Sequence, residues 1–121
     1  MNRIIHFEFN SPDADASQDY FGKLFGWEFN NWGGPMDYRL CITGKDEPGI
    51  NGGFMPSQDG QPRTVNVVGV EDLGAATKKA AELGGEVVVD NMAVPGAGWV
   101  SYVKDPAGIL FGMWFEDENA K

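Results

Sequence analysis

The chain of 121 residues carries 18 acidic against 9 basic side chains, a net charge of -9, and 42% of it is hydrophobic, with 8 Phe, 4 Trp and 3 Tyr. That length and apolar content suit one domain with a filled core, and the acidic balance argues against nucleic acid or an anionic membrane surface as partner. No run approaches the roughly 18 apolar residues needed to span a bilayer, and the single cysteine, Cys41, can form neither an internal disulfide nor a cysteine metal cluster. With no basic-then-apolar N-terminus of the secretory kind, the expectation is a cytoplasmic protein.

Arg3-Ile-Ile-His-Phe-Glu-Phe-Asn10 alternates in the manner of a half-buried strand. Strand residues two apart share a face, so His6 and Glu8 point one way and Ile5, Phe7 and Phe9 the other. Ser11-Pro-Asp13 then supplies helix-start chemistry, with Asp13 and Asp15 near the positive end of the dipole. A helix is predicted over residues 13–25, its apolar side made by Ala16, Tyr20, Phe21, Leu24 and Phe25, and Gly26 suits the left-handed position that ends it. Strands are predicted over 27–32, 36–43 and 50–55, the first two joined by a turn at Gly33-Gly34-Pro35. Gly52 and Gly53, inside the third, mark a bulge or the close approach of a ligand or backbone.

A polar connector over 57–62 leads into a second pass of the same order: a strand over 64–70, a helix over 71–83, and strands over 86–89, 98–103 and 109–115. Phe25-Gly-Trp-Glu28 aligns with Leu83-Gly-Gly-Glu86 at an offset of 58 (83 minus 25), which sets His6 on Thr64 and Glu8 on Asn66, while Gly53 meets Gly112 after a one-residue slip. A repeat of this kind implies two strand-helix-strand-strand-strand modules, about 2–56 and 63–117, packed side by side in one domain.

Alternation assigns Glu8, Asn51, Gly53, Thr64, Asn66, Gly112 and Trp114 to the face of His6, a mixture of polar and apolar groups that suits a small-molecule pocket. The two glycines would leave room for the molecule. Trp99 and Tyr102 are candidate walls, with core or subunit contacts as the plainer reading. Asn51 and Asn66 also read as ordinary polar residues of a sheet. His6 is either a hydrogen-bonded structural residue or a binding and acid-base group. Glu8 beside it would raise the imidazole pKa or act as a base itself.

Taken together, the His6-x-Glu8 strand, Asp19-Tyr-Phe-Gly-Lys-Leu-Phe-Gly-Trp27, Val70-Glu-Asp-Leu-Gly-Ala-Ala76 with Leu83-Gly-Gly85, and Trp99-Val-Ser-Tyr-Val-Lys-Asp-Pro-Ala-Gly108 resemble the vicinal oxygen chelate superfamily. That group holds glyoxalase I, extradiol dioxygenases, and bleomycin and fosfomycin resistance proteins. The resemblance implies an α+β fold in which two tandem βαβββ modules form a cupped mixed sheet with the active site in the cup. It also implies that metal-dependent members hold a divalent ion by one side chain from the first and last strand of each module. Carried onto this chain, His6 matches. The module-two equivalent is Thr64 or Val65, and the last-strand positions, where a Glu would stand, are Gly53 and Gly112. Three or four nitrogen and oxygen donors make a firm site, so no cofactor is expected beyond a weakly held divalent metal at His6 and Glu8. Ile109 also replaces the Asn common after the Asp-Pro-x-Gly turn.

The resemblance therefore implies a glyoxalase-like protein that binds a small amphipathic or aromatic organic molecule, as drug-sequestering relatives do. The alternative is a lyase or isomerase, other than a lactoylglutathione lyase, with His6 and Glu8 transferring protons. A third reading is a domain whose work is dimerisation or partner binding. Relatives often dimerise, so a two-fold homodimer is expected.

Overall fold

Residues 1–34 and 36–121 are described by a computed structural model, and Pro35, the end of the expected turn, lies outside the described residues. The first repeat forms β1 (Arg3–Ser11), α1 (Ala14–Phe25), β2 (Glu28–Asn31), β3 (Arg39–Ile42) and β4 (Gly52–Pro56). The second forms β5 (Arg63–Gly69), α2 (Leu73–Glu82), β6 (Glu86–Val94), β7 (Gly98–Lys104) and β8 (Leu110–Glu116). The βαβββ order predicted for each half is thus present twice. The chain divides into two compact units, His6–Val65, and Met1–Ile5 with Asn66–Lys121. Among the described residues no helix is long and apolar enough to cross a membrane.

In the unit His6–Val65 the strands run in the order β2-β3-β4-β1, with β1 parallel to β4 and Glu8 level with Gly53. Phe7 and Phe9 face α1, as the alternation required. Phe9 packs on Phe21 and Phe54, and the fully buried Phe54 also meets Phe29. Such aromatic pairs contribute about 0.5–1.5 kcal/mol each beyond the area they bury. Gly52 is on this face because any Cβ there would collide with the Phe7 ring. Asp13 caps α1 by accepting from the Ala16 N–H at 3.1 Å, and Gly26 ends it at φ 74°. β3 is shorter than the predicted 36–43. Asp37 instead turns to form an ion pair with Arg39, and the Tyr38 carbonyl accepts from the Trp32 N–H. Tyr38 therefore stands just before the strand.

The other unit has the order β5-β8-β7-β6, with β5 parallel to β8 and a core of Val70, Leu73, Val103 and Met113 under α2. Here β6 is longer than the predicted 86–89. It continues to Val94 through two register shifts, with Asn91 at φ 47°. Bulges interrupt the two-residue period by which a strand is recognised, which hid this extension. The Asn91 N–H donates to Ser101 Oγ at 3.0 Å, Ser101 Oγ lies 3.0 Å from Thr77 Oγ1, and Thr77 donates to the Leu73 carbonyl at 2.7 Å. One hydroxyl has one proton, so with Thr77 donating to Leu73, Ser101 donates to Thr77. The result is a fully satisfied chain from the bulge to α2.

The two repeats also correct one feature of their alignment. The helix caps are Asp13 and Asp72, and the level pairs are Glu8 with Gly53 and Val67 with Gly112, an offset of 59 at each of these places (72 minus 13, 67 minus 8, 112 minus 53). The glycines after the helices keep 58 (84 minus 26), because α2 has 10 residues where α1 has 12 and Leu83 stands between α2 and Gly84, whereas Gly26 follows α1 directly. The counterparts of His6 and Glu8 are accordingly Val65 and Val67. A one-residue slip in a strand turns every side chain to the other face.

Candidate functional site

β1 presents His6 and Glu8 side by side on the face away from α1, and Tyr38 reaches both. His6 Nε2 lies 2.7 Å from Tyr38 Oη, and Tyr38 Oη donates to Glu8 Oε2 at 3.2 Å. Glu8 is buried, with 6% of its surface exposed, and His6 is partly buried. Tyr38 is the member that reading the sequence missed. Its signal was present, since strand alternation carries Tyr38 onto the face of Leu40, and Leu40 pairs with Gly53.

Gly53 completes the cluster by having no side chain, for a Cβ there would collide with the Tyr38 hydroxyl and ring. The space expected for a ligand at Gly53 is thus filled by tyrosine. Gly112 in the other unit is less tightly covered, with Tyr102 and Val67 3.2 and 3.3 Å from the position a Cβ would take, a close contact rather than a collision.

The electrostatics assign the protons. Burial, then the charge and the hydrogen bond of Glu8, push the Tyr38 phenol above its ordinary range, so it stays protonated. A carboxylate accepts and cannot donate, so the Tyr38 proton lies toward Glu8, and His6 must donate from Nε2. The lone pair of the neutral ring then sits on Nδ1. Burial lowers the His6 pKa, which overturns the expectation that Glu8 would raise it: the tyrosine stands between them and desolvation decides.

The remaining predicted residues are distributed more widely. Asn51 Oδ1 accepts from the Thr43 N–H at 2.9 Å and ties β4 to β3. Asn66 is level with Phe111, which packs against the α2 core, so it is on the face opposite Gly112 and does not join that surface. Its expected place came from the 58-residue alignment, one position out. Trp99 also faces the α2 core and donates from its indole N–H to Asp117 at 3.0 Å. Tyr102 and Trp114 share the Gly112 face through the pairs Tyr102 with Gly112 and Val100 with Trp114.

A cleft of about 480 Å³ opens in the unit His6–Val65 at the start of α1, lined by Phe9, Ser11, Asp13, Ser17, Phe21 and Arg63 among others. It does not include the His6 cluster. Ser11 and Ser17 hydrogen-bond each other at 2.7 Å, Asp13 caps α1, and Arg63 pairs with Asp59. These four polar side chains therefore serve the fold.

A family model described as the glyoxalase/bleomycin resistance protein/dioxygenase superfamily matches residues 3–113. The chain belongs to that superfamily. The anthracycline biosynthesis protein DnrV of Streptomyces peucetius is 32% identical over 124 residues, covering 89% of this chain and 45% of that protein. The putative glyoxylase CFP32 of Mycobacterium tuberculosis is 25% identical over 112 residues, covering 88% of this chain and 43% of its own length. The chain thus spans about half the length of the curated relatives it matches. Among solved structures, a methylmalonyl-CoA epimerase of Streptomyces coelicolor in complex with 2-nitronate-propionyl-CoA aligns at TM-score 0.70 with 15% identity, covering 100% of this chain and 99% of that one. The Mn(II)-bound glyoxalase of Novosphingobium aromaticivorans aligns at 0.68 with 18% identity, covering 98% of this chain and 40% of that one. At such identities the likeness is one of fold.

The side chains present do not fit the divalent ion of the superfamily's metal-dependent members. Among the described residues no three His, Cys, Asp or Glu side chains are grouped to share an ion. His6 Nε2 and Glu8 Oε2 both engage Tyr38, and glycine stands at 53 and 112.

Proposed function

We propose that this superfamily member binds a small aromatic or amphipathic organic molecule, without a tightly held metal, against the surface that carries His6, Tyr38 and Glu8. The observation that supports it most is the Tyr38 hydroxyl held between His6 and Glu8. The polar groups are oriented by one another, which suits a neutral or weakly polar ligand that needs a few fixed hydrogen bonds and apolar contact. A relative in anthracycline biosynthesis agrees with a polycyclic aromatic ligand. The test is a panel of aromatic polyketides and hydrophobic antibiotics, read by thermal shift and by the ring signals of His6, the one histidine of the chain. Binders that move both support the reading. A panel that leaves both unmoved overturns it.

One observation favours a second reading, a lyase or isomerase. With Nε2 donating to Tyr38, the ring is neutral at pH 7 and offers Nδ1 as a base for a substrate C–H or O–H. Turnover of a bound ligand that falls in His6→Gln, with binding retained, would establish it. We place the protein in the cytoplasm, where the lone buried Cys41 stays reduced. We assign it a two-fold homodimer, which covers large exposed apolar side chains such as Ile4, Ile5 and Ile109.

A further inference from the structure

We propose that Tyr38 determines what this site can hold: its hydroxyl takes the position at which a divalent cation would meet His6 and Glu8, and Gly53 is the position whose occupant decides between phenol and ion. Three facts converge on one point. His6 Nε2 is 2.7 Å and Glu8 Oε2 3.2 Å from Tyr38 Oη. Gly53 is level with Glu8 on the neighbouring strand, and a Cβ on it would run into that same oxygen. A longer side chain at 53 and the tyrosine at 38 are therefore mutually exclusive. With tyrosine present, the cluster has two donors, both hydrogen-bonded, and a nitrogen that carries a proton where an ion would need its lone pair. With a carboxylate at 53 and no ring at 38, His6, Glu8 and the new group would face one spot as three nitrogen and oxygen donors, the minimum for a firm divalent site.

The inference concerns the same residues as the functional reading but is probed with metal alone, so its failure and that of the ligand panel are separate events. Mn(II) binding is measured by electron paramagnetic resonance and calorimetry on the unaltered chain, on Tyr38→Ala with Gly53→Glu, and on that pair with His6→Gln added. The unaltered chain should show no saturable binding in the micromolar range. The paired variant should bind at least about tenfold more tightly, the smallest effect usual even for a group that only supports a ligand, and lose this with His6→Gln. Micromolar binding by the unaltered chain through His6, or a folded paired variant no better than the unaltered chain, overturns the proposal. Should the paired variant not fold, ring nitrogen signals of the unaltered chain decide. They should show a protonated Nε2 that equimolar Zn(II) leaves in place, and displacement of that proton by Zn(II) counts against it.

Discussion

Tyr38 joins a histidine and a buried acid that sequence spacing had already set side by side, and its hydroxyl is the most informative single atom of the chain. Replacing it in Tyr38→Phe removes one donor to a buried carboxylate and one acceptor for His6. The expected cost is about 1–3 kcal/mol, read from urea unfolding at pH 7.5. His6 predicts a pH dependence of definite sign. Its folded pKa lies below 6.5, so the unfolded chain binds the proton more readily and stability falls as pH drops below 6.5 toward the folded value. Above 6.5 this contribution is constant. Urea midpoints from pH 8 to pH 5 should follow that course, and His6→Gln should remove it, since the chain has one histidine. Cys41 is fully buried, and burial pushes its thiol up to about 11. A disulfide reagent at pH 8 should react with it only after denaturant is added.

At the scale of elements, the repeats were legible because the cues that start and stop a helix are local. Asp13 caps its helix as the sequence implied, Asp72 caps α2 from within the range predicted as helix, and Asp72→Ala should lower stability by about 1 kcal/mol. The strand assignments failed where side chains overrode periodicity. Asp37 and Arg39 cut β3 short, and the left-handed Asn91 carried β6 past a predicted end. Ser101, with no exposed surface, connects that bulge to α2. Ser101→Ala would take from the Asn91 N–H its acceptor and from Thr77 Oγ1 the hydroxyl it accepts from, while Thr77 still donates to Leu73, for a loss of about 1–3 kcal/mol. Thermal melts of Ser101→Ala beside Ser101→Thr measure it, the second variant keeping the hydroxyl.

For the molecule as a whole, the reading of the site predicts indifference to metal. A ligand that binds the folded state raises its melting temperature by mass action, so melts with EDTA and with added Mn(II) should coincide. An upward shift with Mn(II) that His6→Gln abolishes would contradict this. Light scattering after size exclusion tests the homodimer, and a molar mass near the 13.2 kDa of one chain would remove it. The net charge of -9 agrees with a protein that avoids polyanions.

Periodicity, caps and the duplicated glycine endings follow from neighbours a few residues apart, and they were enough for two βαβββ repeats, for the family, and for the pairing of His6 with Glu8 on one strand face. Which partner stands between those two could not be read in the same way, because Tyr38 is 30 residues from Glu8 and reaches it only once β3 and β4 pair. The face of Asn66 depended likewise on strand register, where an alignment one residue out, 58 in place of 59, assigns every side chain of β5 to the wrong face.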